Sequence, residues 1–330
     1  MTGNVASSDL LMRVQQRIGQ DLAKVEEVFA AELASSNPFA TDVLAHVCRF
    51  RGKRLRPILV LLTARCLGGI RPEHHVLAAV VEMIHMATLV HDDVLDEAAT
   101  RRHVATVNAR WNNETSVLFG DCLFTHAFHL ASSLPTTEAC RMIGWSTNRV
   151  CEGELTQVRE RGNFDLDEAA YFEIIEGKTA ELCALSCRLG ARYAEAEAAT
   201  VEEMAEFGRL LGLAFQIADD LLDLTGDEHA AGKSLGSDLS LEKMTLPLIR
   251  LMSEASSDEA ARIRQLLAAP DEASRQALRT LLEEGDAFAY TRDRALALVS
   301  QSCELLDRLP PSPDRQLLQD MARFAVERTH

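Results

Sequence analysis

The sequence predicts an all-α fold, one large bundle of roughly ten or more helices spanning residues 1–330 as a single domain. Three observations carry that prediction. Apolar residues recur three and four apart along most of the chain. β-branched alternation is nearly absent, and Gly/Asn hairpin signals are weak. Of the 330 residues 47% are hydrophobic, enough for a sizeable core, and no linker or repeat divides the chain.

The elements follow in order. Residues 10–33 carry the helical period, with Ser8 and Asp9 as candidate caps. Pro57 suits the first turn of a helix running to Leu67, which Gly68-Gly69 ends. Pro72 opens a long helix through about Asp96. The period then predicts helices over 113–132, 138–160, 167–190, 200–224, 241–253, 258–268, 271–284, 288–306 and 314–328.

Composition narrows the function classes. A formal net charge of −16 disfavours nucleic acid and anionic membrane as main partners. It suits a cavity that collects divalent cations. The N-terminus lacks the continuous apolar core of a signal peptide, and no apolar run is long enough to span a bilayer. A cytoplasmic location is the expectation. The eight cysteines form no CxxC pair, and Cys183 and Cys187 have no nearby partners to complete a zinc set. They read as buried thiols in a reducing compartment.

Charge concentrates in "LVHDDVLDEAATRRH", residues 89–103. Asp92 and Asp96 stand four apart, on one helix face, with Cβ atoms ~5–6 Å apart, and like charges there repel. A hard divalent cation between them is the natural counterion; Mg²⁺ prefers carboxylate oxygens, keeps waters and binds phosphates on its far side. One such motif also describes a solvated acidic face. A second copy, "FQIADDLLDLTGD" at 215–227, repeats the spacing at Asp219 and Asp223 among leucines and alanines. Carboxylates in so apolar a helix need partners.

Cations accompany both motifs. Lys53, Arg54 and Arg56 sit at a predicted helix start, a good anion site. Arg101 and Arg102 follow the first motif; "EGKTAEL" offers Lys178 and Thr179; Lys233 and Lys243 follow the second motif. Together they suit two diphosphates, one bridged to aspartate through Mg²⁺ and the other held by Lys and Arg. No Walker loop, nucleophile elbow or HExxH appears.

These strings, with "GKRLRP", "TVN", "EGELTQ", "GKSLGSDL" and "KMTLPLI", make the chain resemble the trans-isoprenyl diphosphate synthases, or polyprenyl synthetases, and most of all their long-chain members. The resemblance implies the isoprenoid synthase fold, a helical bundle around an apolar cavity, and a homodimer. It assigns Lys53, Arg56, His85 and Arg102 to an isopentenyl diphosphate pocket. Arg101, Lys178, Thr179 and Lys233 fall to the allylic diphosphate, and Lys243 is a further substrate-binding residue. Asp92, Asp96 and Asp219 become ligands of about three Mg²⁺ ions. Asp93, Asp220 and Asp223 join them through water. Gln216 faces the allylic site and Phe215 the isopentenyl tail. Asp92, Asp96, Asp219, Lys178 and Arg101 are the catalytic set. The chain departs from the pattern where Arg51, His103 and Glu242 stand at positions usually held by glycine.

The implied reaction is head-to-tail condensation of isopentenyl diphosphate with an allylic diphosphate. The leaving diphosphate is neutralised, the allylic C–O bond ionises, the second double bond attacks the cation, and the resulting cation loses a proton to the departed diphosphate. Product length follows the depth of an apolar tunnel below Asp92. The resemblance puts its wall at Ala87, Thr88 and Ile84. Ala87 and Thr88 are small, so products beyond C20, at C30–C50, are expected. Phe124, His126 and Phe128 are candidates for the floor. The rivals are a C15–C20 synthase, a terpene cyclase and a non-catalytic partner subunit; the intact second motif with Lys53 and Arg56 argues against the last two.

Overall fold

The computed structural model describes residues 2–50, 52, 54–225, 237–269 and 271–327. The described chain is overwhelmingly helical. α1 spans Thr2–Glu32, α2 Pro38–Val47, α3 Leu55–Cys66 and α4 Pro72–Leu95. A two-stranded antiparallel hairpin follows, β1 Thr100–Arg101 against β2 Val104–Ala105. Next come α5 Val107–Arg110, α6 Asn113–Ser132, α7 Glu138–Arg159, α8 Glu168–Ile175, α9 Glu181–Tyr193 and α10 Ala198–Thr225. The C-terminal part is α11 Ser237–Ser240, α12 Leu246–Glu254, α13 Ser257–Leu267, α14 Glu272–Glu284, α15 Ala287–Asp307 and α16 Pro313–Glu327.

α9 and α10 form the spine. α9 also packs on α3 and α7, α10 on α15, and α4 lies along α6. Leu185 and Leu189 of α9, Leu59, Leu61 and Leu62 of α3 and Phe207 of α10 are all fully buried. Each such side chain contributes about 1.5–3 kcal/mol of apolar burial. Close approach of α9 and α10 depends on Gly208 and Gly212, where a Cβ would meet backbone of Cys183 and Ala180 at 2.5 Å. The two ends of the chain are stapled. Asp314 of α16 accepts from Arg17 of α1 at 2.6 and 2.9 Å and from Arg65 of α3 at 3.1 Å.

Four expectations need correcting. α1 already begins at Thr2, so Ser8 and Asp9 lie within it. The helix predicted over 167–190 is interrupted by a π-helical turn, Glu176–Ala180. The helix predicted from 241 begins at Leu246; Pro247 disfavours helical backbone in the residue before it and suits the first turn. The hairpin 100–105 was not expected, because strands of two residues carry no readable alternation.

Candidate active site

The long α4 delivers three aspartates to the rim of one large cavity of about 1700 Å³. α10 delivers its own from the facing side. Asp92 and Asp219 both line this cavity. Asp92 is surrounded by excess negative charge. Burial pushes its carboxyl up to about 6, Lys178 pulls it down, and Glu154 and Asp96 push it further up. Lys178 bonds primarily to Glu154, at 2.7 Å, and stands 4.0 Å from Asp92. Burial lowers the Lys178 ammonium, but Asp92 and Glu154 raise it more, so it stays charged.

The π-turn presents Lys178 and Thr179 because α7 runs against it without side chains between. A Cβ on Gly153 would meet Gly177 Cα at 2.9 Å and Lys178 N at 2.6 Å. Such bulges often mark functional positions. Thr179 then starts a hydrogen-bonded chain. Its Oγ1 donates to Gln216 Oε1 at 2.7 Å, Gln216 Nε2 donates to Asp220 Oδ1 at 2.7 Å, and the Tyr171 hydroxyl donates to Asp220 Oδ2 at 2.6 Å. Burial, with Asp238 close by, pushes the Asp220 carboxyl up to about 8 despite both donors.

The neighbours of these residues differ from their expected roles. Asp93, expected beside the metal, is 1% exposed and clamps Arg101, whose Nε and Nη2 lie 2.9 and 2.7 Å from its Oδ1. Asp223, also 1% exposed, accepts the backbone N–H of Asp238 at 3.2 Å and lies outside the cavity lining. Asp223, expected to support the metal site or to join it through water, is held one turn beyond Asp219 by the backbone N–H of Asp238. Asp96 is held at the rim by two cations, Arg161 Nη2 at 2.8 Å and Lys243 Nζ at 3.1 Å.

A second cationic group lies deeper. Arg56, Arg102 and His85 line the same cavity. Burial, reinforced by Arg56 and Arg102, holds the His85 imidazole well below its ordinary value, so it is neutral at pH 7. The buried Nε of Arg56 has no hydrogen-bond partner. Arg102 donates to the Phe50 carbonyl; burial and then Arg101 lower its basicity, yet an arginine stays charged. Arg54 is spent on structure, paired with Glu82 at 2.6 Å and Glu26 at 2.9 Å. Lys53, Lys233 and Arg51 lie outside the described residues. The cavity thus holds a carboxylate rim over a pocket rich in unopposed guanidinium, an arrangement for diphosphates rather than for neutral ligands.

Residues 37–284 match the family model described as polyprenyl synthetase. The chain belongs to this family. It is a prenyltransferase that elongates trans-prenyl chains. The chain is 36% identical over 312 residues, 94% of it and 96% of the relative, to an all-trans-nonaprenyl-diphosphate synthase of Rhodobacter capsulatus. It is 34% identical over 321 residues, 96% of it and 99% of the relative, to the octaprenyl diphosphate synthase of Escherichia coli. A polyprenyl synthase from Caulobacter crescentus, solved with calcium and isoprenyl diphosphate, superposes with a TM-score of 0.92 at 33% identity, covering 97% of this chain and 98% of that one.

In this polyprenyl synthetase the apolar walls are also laid out differently from expectation. Thr88, four residues before Asp92, lines the cavity, as do Leu89, Phe124 and Leu155. Ala87 and Ile84 are 0% exposed and outside the lining, packed into the core. Ala87, five residues from Asp92, points to another face of α4, whereas a separation of four keeps Thr88 on the same one; Ile84 lies a further turn down, buried in the core. Among the floor candidates only Phe124 borders the cavity; His126 is bonded to Glu32. Phe215 and Gln216 line it as expected. The two described departures from family glycine both fall in left-handed backbone, His103 at φ 62° and Glu242 at φ 53°. That is where glycine is favoured.

The sequence reading assigned no role to Glu154, Arg161 or Tyr171. Glu154 sat inside the quoted string "EGELTQ". The other two had no signal, because each acts through a partner distant in sequence.

Proposed function

We propose that this prenyltransferase joins isopentenyl diphosphate to an allylic diphosphate and extends the product beyond C20, to C30–C50, with residues 1–330 acting as one unit. The observation that carries the reading is a single cavity lined at once by Asp92 and Asp219, by Arg56 and Arg102, and by apolar side chains. The names of the heptaprenyl, octaprenyl and nonaprenyl synthases among the relatives support the long product.

A divalent ion fits the donor set. Among the described residues no three His, Cys, Asp or Glu side chains form a ready-made metal cluster. Mg²⁺ does not need one, since it is usually held by one or two carboxylates plus substrate phosphates and waters. Burial first, then Glu154 and Asp96, raise the Asp92 carboxyl, and a divalent ion there would favour its charged form. Asp92, Asp96 and Asp219 are its proposed ligands, with about three Mg²⁺ per site. The calcium in the Caulobacter crescentus structure supports a divalent ion. When bound, the metal supplies charge neutralisation for the departing diphosphate.

The chain's own residues do the rest. Lys178 and Arg101 offer charge to the leaving diphosphate from two sides. Thr179 and Gln216 orient the allylic end, the hydroxyl held by its bond to Gln216 and the amide by its bond to Asp220. Arg56, Arg102 and neutral His85 seat the second diphosphate, and Phe215 turns its double bond toward the cation. Apolar walls exclude water, which would otherwise quench the cation.

Val117 and Leu118 on α6 and Trp145, Leu155 and Val158 on α7 are exposed apolar side chains, and the last two also line the cavity. A second copy of this chain is their proposed cover, measurable by sedimentation equilibrium. Among the described residues no helix is long and apolar enough to cross a membrane, and all eight cysteines are free; a reducing, cytoplasmic site of action accords with the thiols.

The deciding experiment incubates the purified chain with isopentenyl diphosphate, Mg²⁺ and each allylic primer in turn, then sizes the dephosphorylated products. Products of C30 or longer are expected. C15–C20 products would move it to the medium-chain synthases, and no elongation with any primer would sink the reading.

A further inference from the structure

The two metal-facing carboxylates of the first motif are not equivalent. Asp92 has one cation at 4.0 Å and Glu154 as an opposing anion near it. Asp96 carries two cations: Arg161 Nη2 on Oδ1 at 2.8 Å, and Lys243 Nζ at 3.1 Å from Oδ1 and 3.2 Å from Oδ2. Both oxygens are therefore engaged, and Lys243 also stands 3.8 Å from Asp238, so two cations and two carboxylates balance at this corner of the site.

Arg161 is built into place. Its Nη1 donates to the Leu95 carbonyl at 3.2 Å, the last carbonyl of α4, where a cation is favoured by the helix dipole. The next residue, Gly162, donates its N–H to the Glu242 carbonyl at 3.0 Å. That bond ties the segment carrying Arg161 to the turn carrying Lys243. Three separate segments thus meet on one carboxylate. The side chains of Arg161 and Asp96 are 24% and 23% exposed, so solvent screens the pair only in part.

We infer that Arg161 is an internal countercation that competes with a divalent ion for Asp96 and couples metal loading to diphosphate binding. The inference rests on the reading of Asp96 as a metal ligand. An ion reaching Asp96 alone must displace or share with Arg161 and Lys243. A diphosphate at the rim offers those two cations better anionic partners and releases the carboxylate to the metal. Coupling of this kind is reciprocal: the metal tightens the diphosphate by the same factor as the diphosphate tightens the metal. Arg161 is a positioning residue in this scheme.

The test is Mn²⁺ binding followed by electron paramagnetic resonance of the free ion, with and without inorganic diphosphate, in the wild type, Arg161→Gln, Arg161→Lys and Asp96→Asn. Mn²⁺ shares the oxygen-ligand preference of Mg²⁺. Without diphosphate, Arg161→Gln should bind Mn²⁺ about threefold to tenfold more tightly, the scale of one part-buried ion pair. The enhancement by diphosphate should shrink by the same factor, and Arg161→Lys should stay near wild type. In an Asp96→Asn background, Arg161→Gln should change nothing. Unchanged or weaker Mn²⁺ binding by Arg161→Gln, with normal binding by the wild type, would overturn the inference alone. Failure of the wild type to bind Mn²⁺ under either condition would overturn the metal reading and this inference with it.

Discussion

The same five-residue pattern, two aspartates, two other residues and a third aspartate, occurs at the end of α4 and near the end of α10. On α4 it delivers Asp92 into the cavity, buries Asp93 against Arg101 and leaves Asp96 at the rim under two cations. On α10 it delivers Asp219 into the cavity, buries Asp220 between Tyr171 and Gln216, and buries Asp223 beneath the backbone of Asp238. The first aspartates both face the cavity and the second are both buried against side-chain donors, so the third, Asp96 and Asp223, are where the patterns part. Spacing puts carboxylates on a helix, but what packs over each turn decides whether a carboxylate is free to meet a ligand.

Substituting the first aspartates and comparing them with Asp223 tests the contrast most sharply. Asp92→Asn and Asp219→Asn should each lower kcat/KM by about a thousandfold or more, the loss of several kcal/mol of charge stabilisation. Asp223→Asn should instead cost about tenfold or less in kcat/KM and appear chiefly as a lower melting temperature. Equal kinetic losses for Asp219→Asn and Asp223→Asn, with unchanged melting for both, would erase the distinction drawn between them.

Asp220 gives a larger pH signature than Asp92, whose carboxyl burial raises only to about 6. Its folded carboxyl, raised to about 8 chiefly by burial, lies far above an unfolded aspartate near 3.9. The folded state holds the proton over that window and the unfolded state does not. Stability should therefore fall by a few kcal/mol as pH rises from about 4 to about 8. Asp220→Asn should remove this component. Denaturant melts across that range compare the two proteins, and parallel curves would show that Asp220 is ionised in the fold.

On α4 the comparison continues below the motif. Thr88→Phe should shorten the product to C15–C20 by narrowing the cavity. Ala87→Phe should leave its length unchanged while destabilising the fold by about 1–3 kcal/mol through overpacking. Product chromatography and thermal melts separate them; a shortened product from Ala87→Phe would put that residue back in the wall.

The smallest effect concerns the loops that follow each motif. His103→Gly and Glu242→Gly should each stabilise by about 0.5–1 kcal/mol, relief of left-handed strain less the greater freedom of an unfolded glycine. For Glu242→Gly the affinity for Mn²⁺ also reports whether the Lys243 turn keeps its grip on Asp96.

Much of this was legible before any coordinates. Long amphipathic runs predicted the helices, because a 3.6-residue period survives wherever one face is buried. The motif strings predicted which residues gather at the site. The π-turn was not legible, since "EGKTAEL" has an ordinary helical composition and only the contact of Gly153 with Gly177 explains the bulge. Arg161 and Tyr171 were not legible either, because their partners are Asp96 and Asp220, 65 and 49 residues away.

The sequence by itself determined the helical class, the family and the two acidic strings with their cations, all properties of local order along the chain. Tertiary structure alone decided which aspartates face the cavity, that Thr88 rather than Ala87 borders it, and that Asp96 sits between Arg161 and Lys243. The reason is physical: burial and ion pairing depend on what arrives from remote segments, and those meetings are set by how α4, α7, α10 and the turn before α12 close around one space.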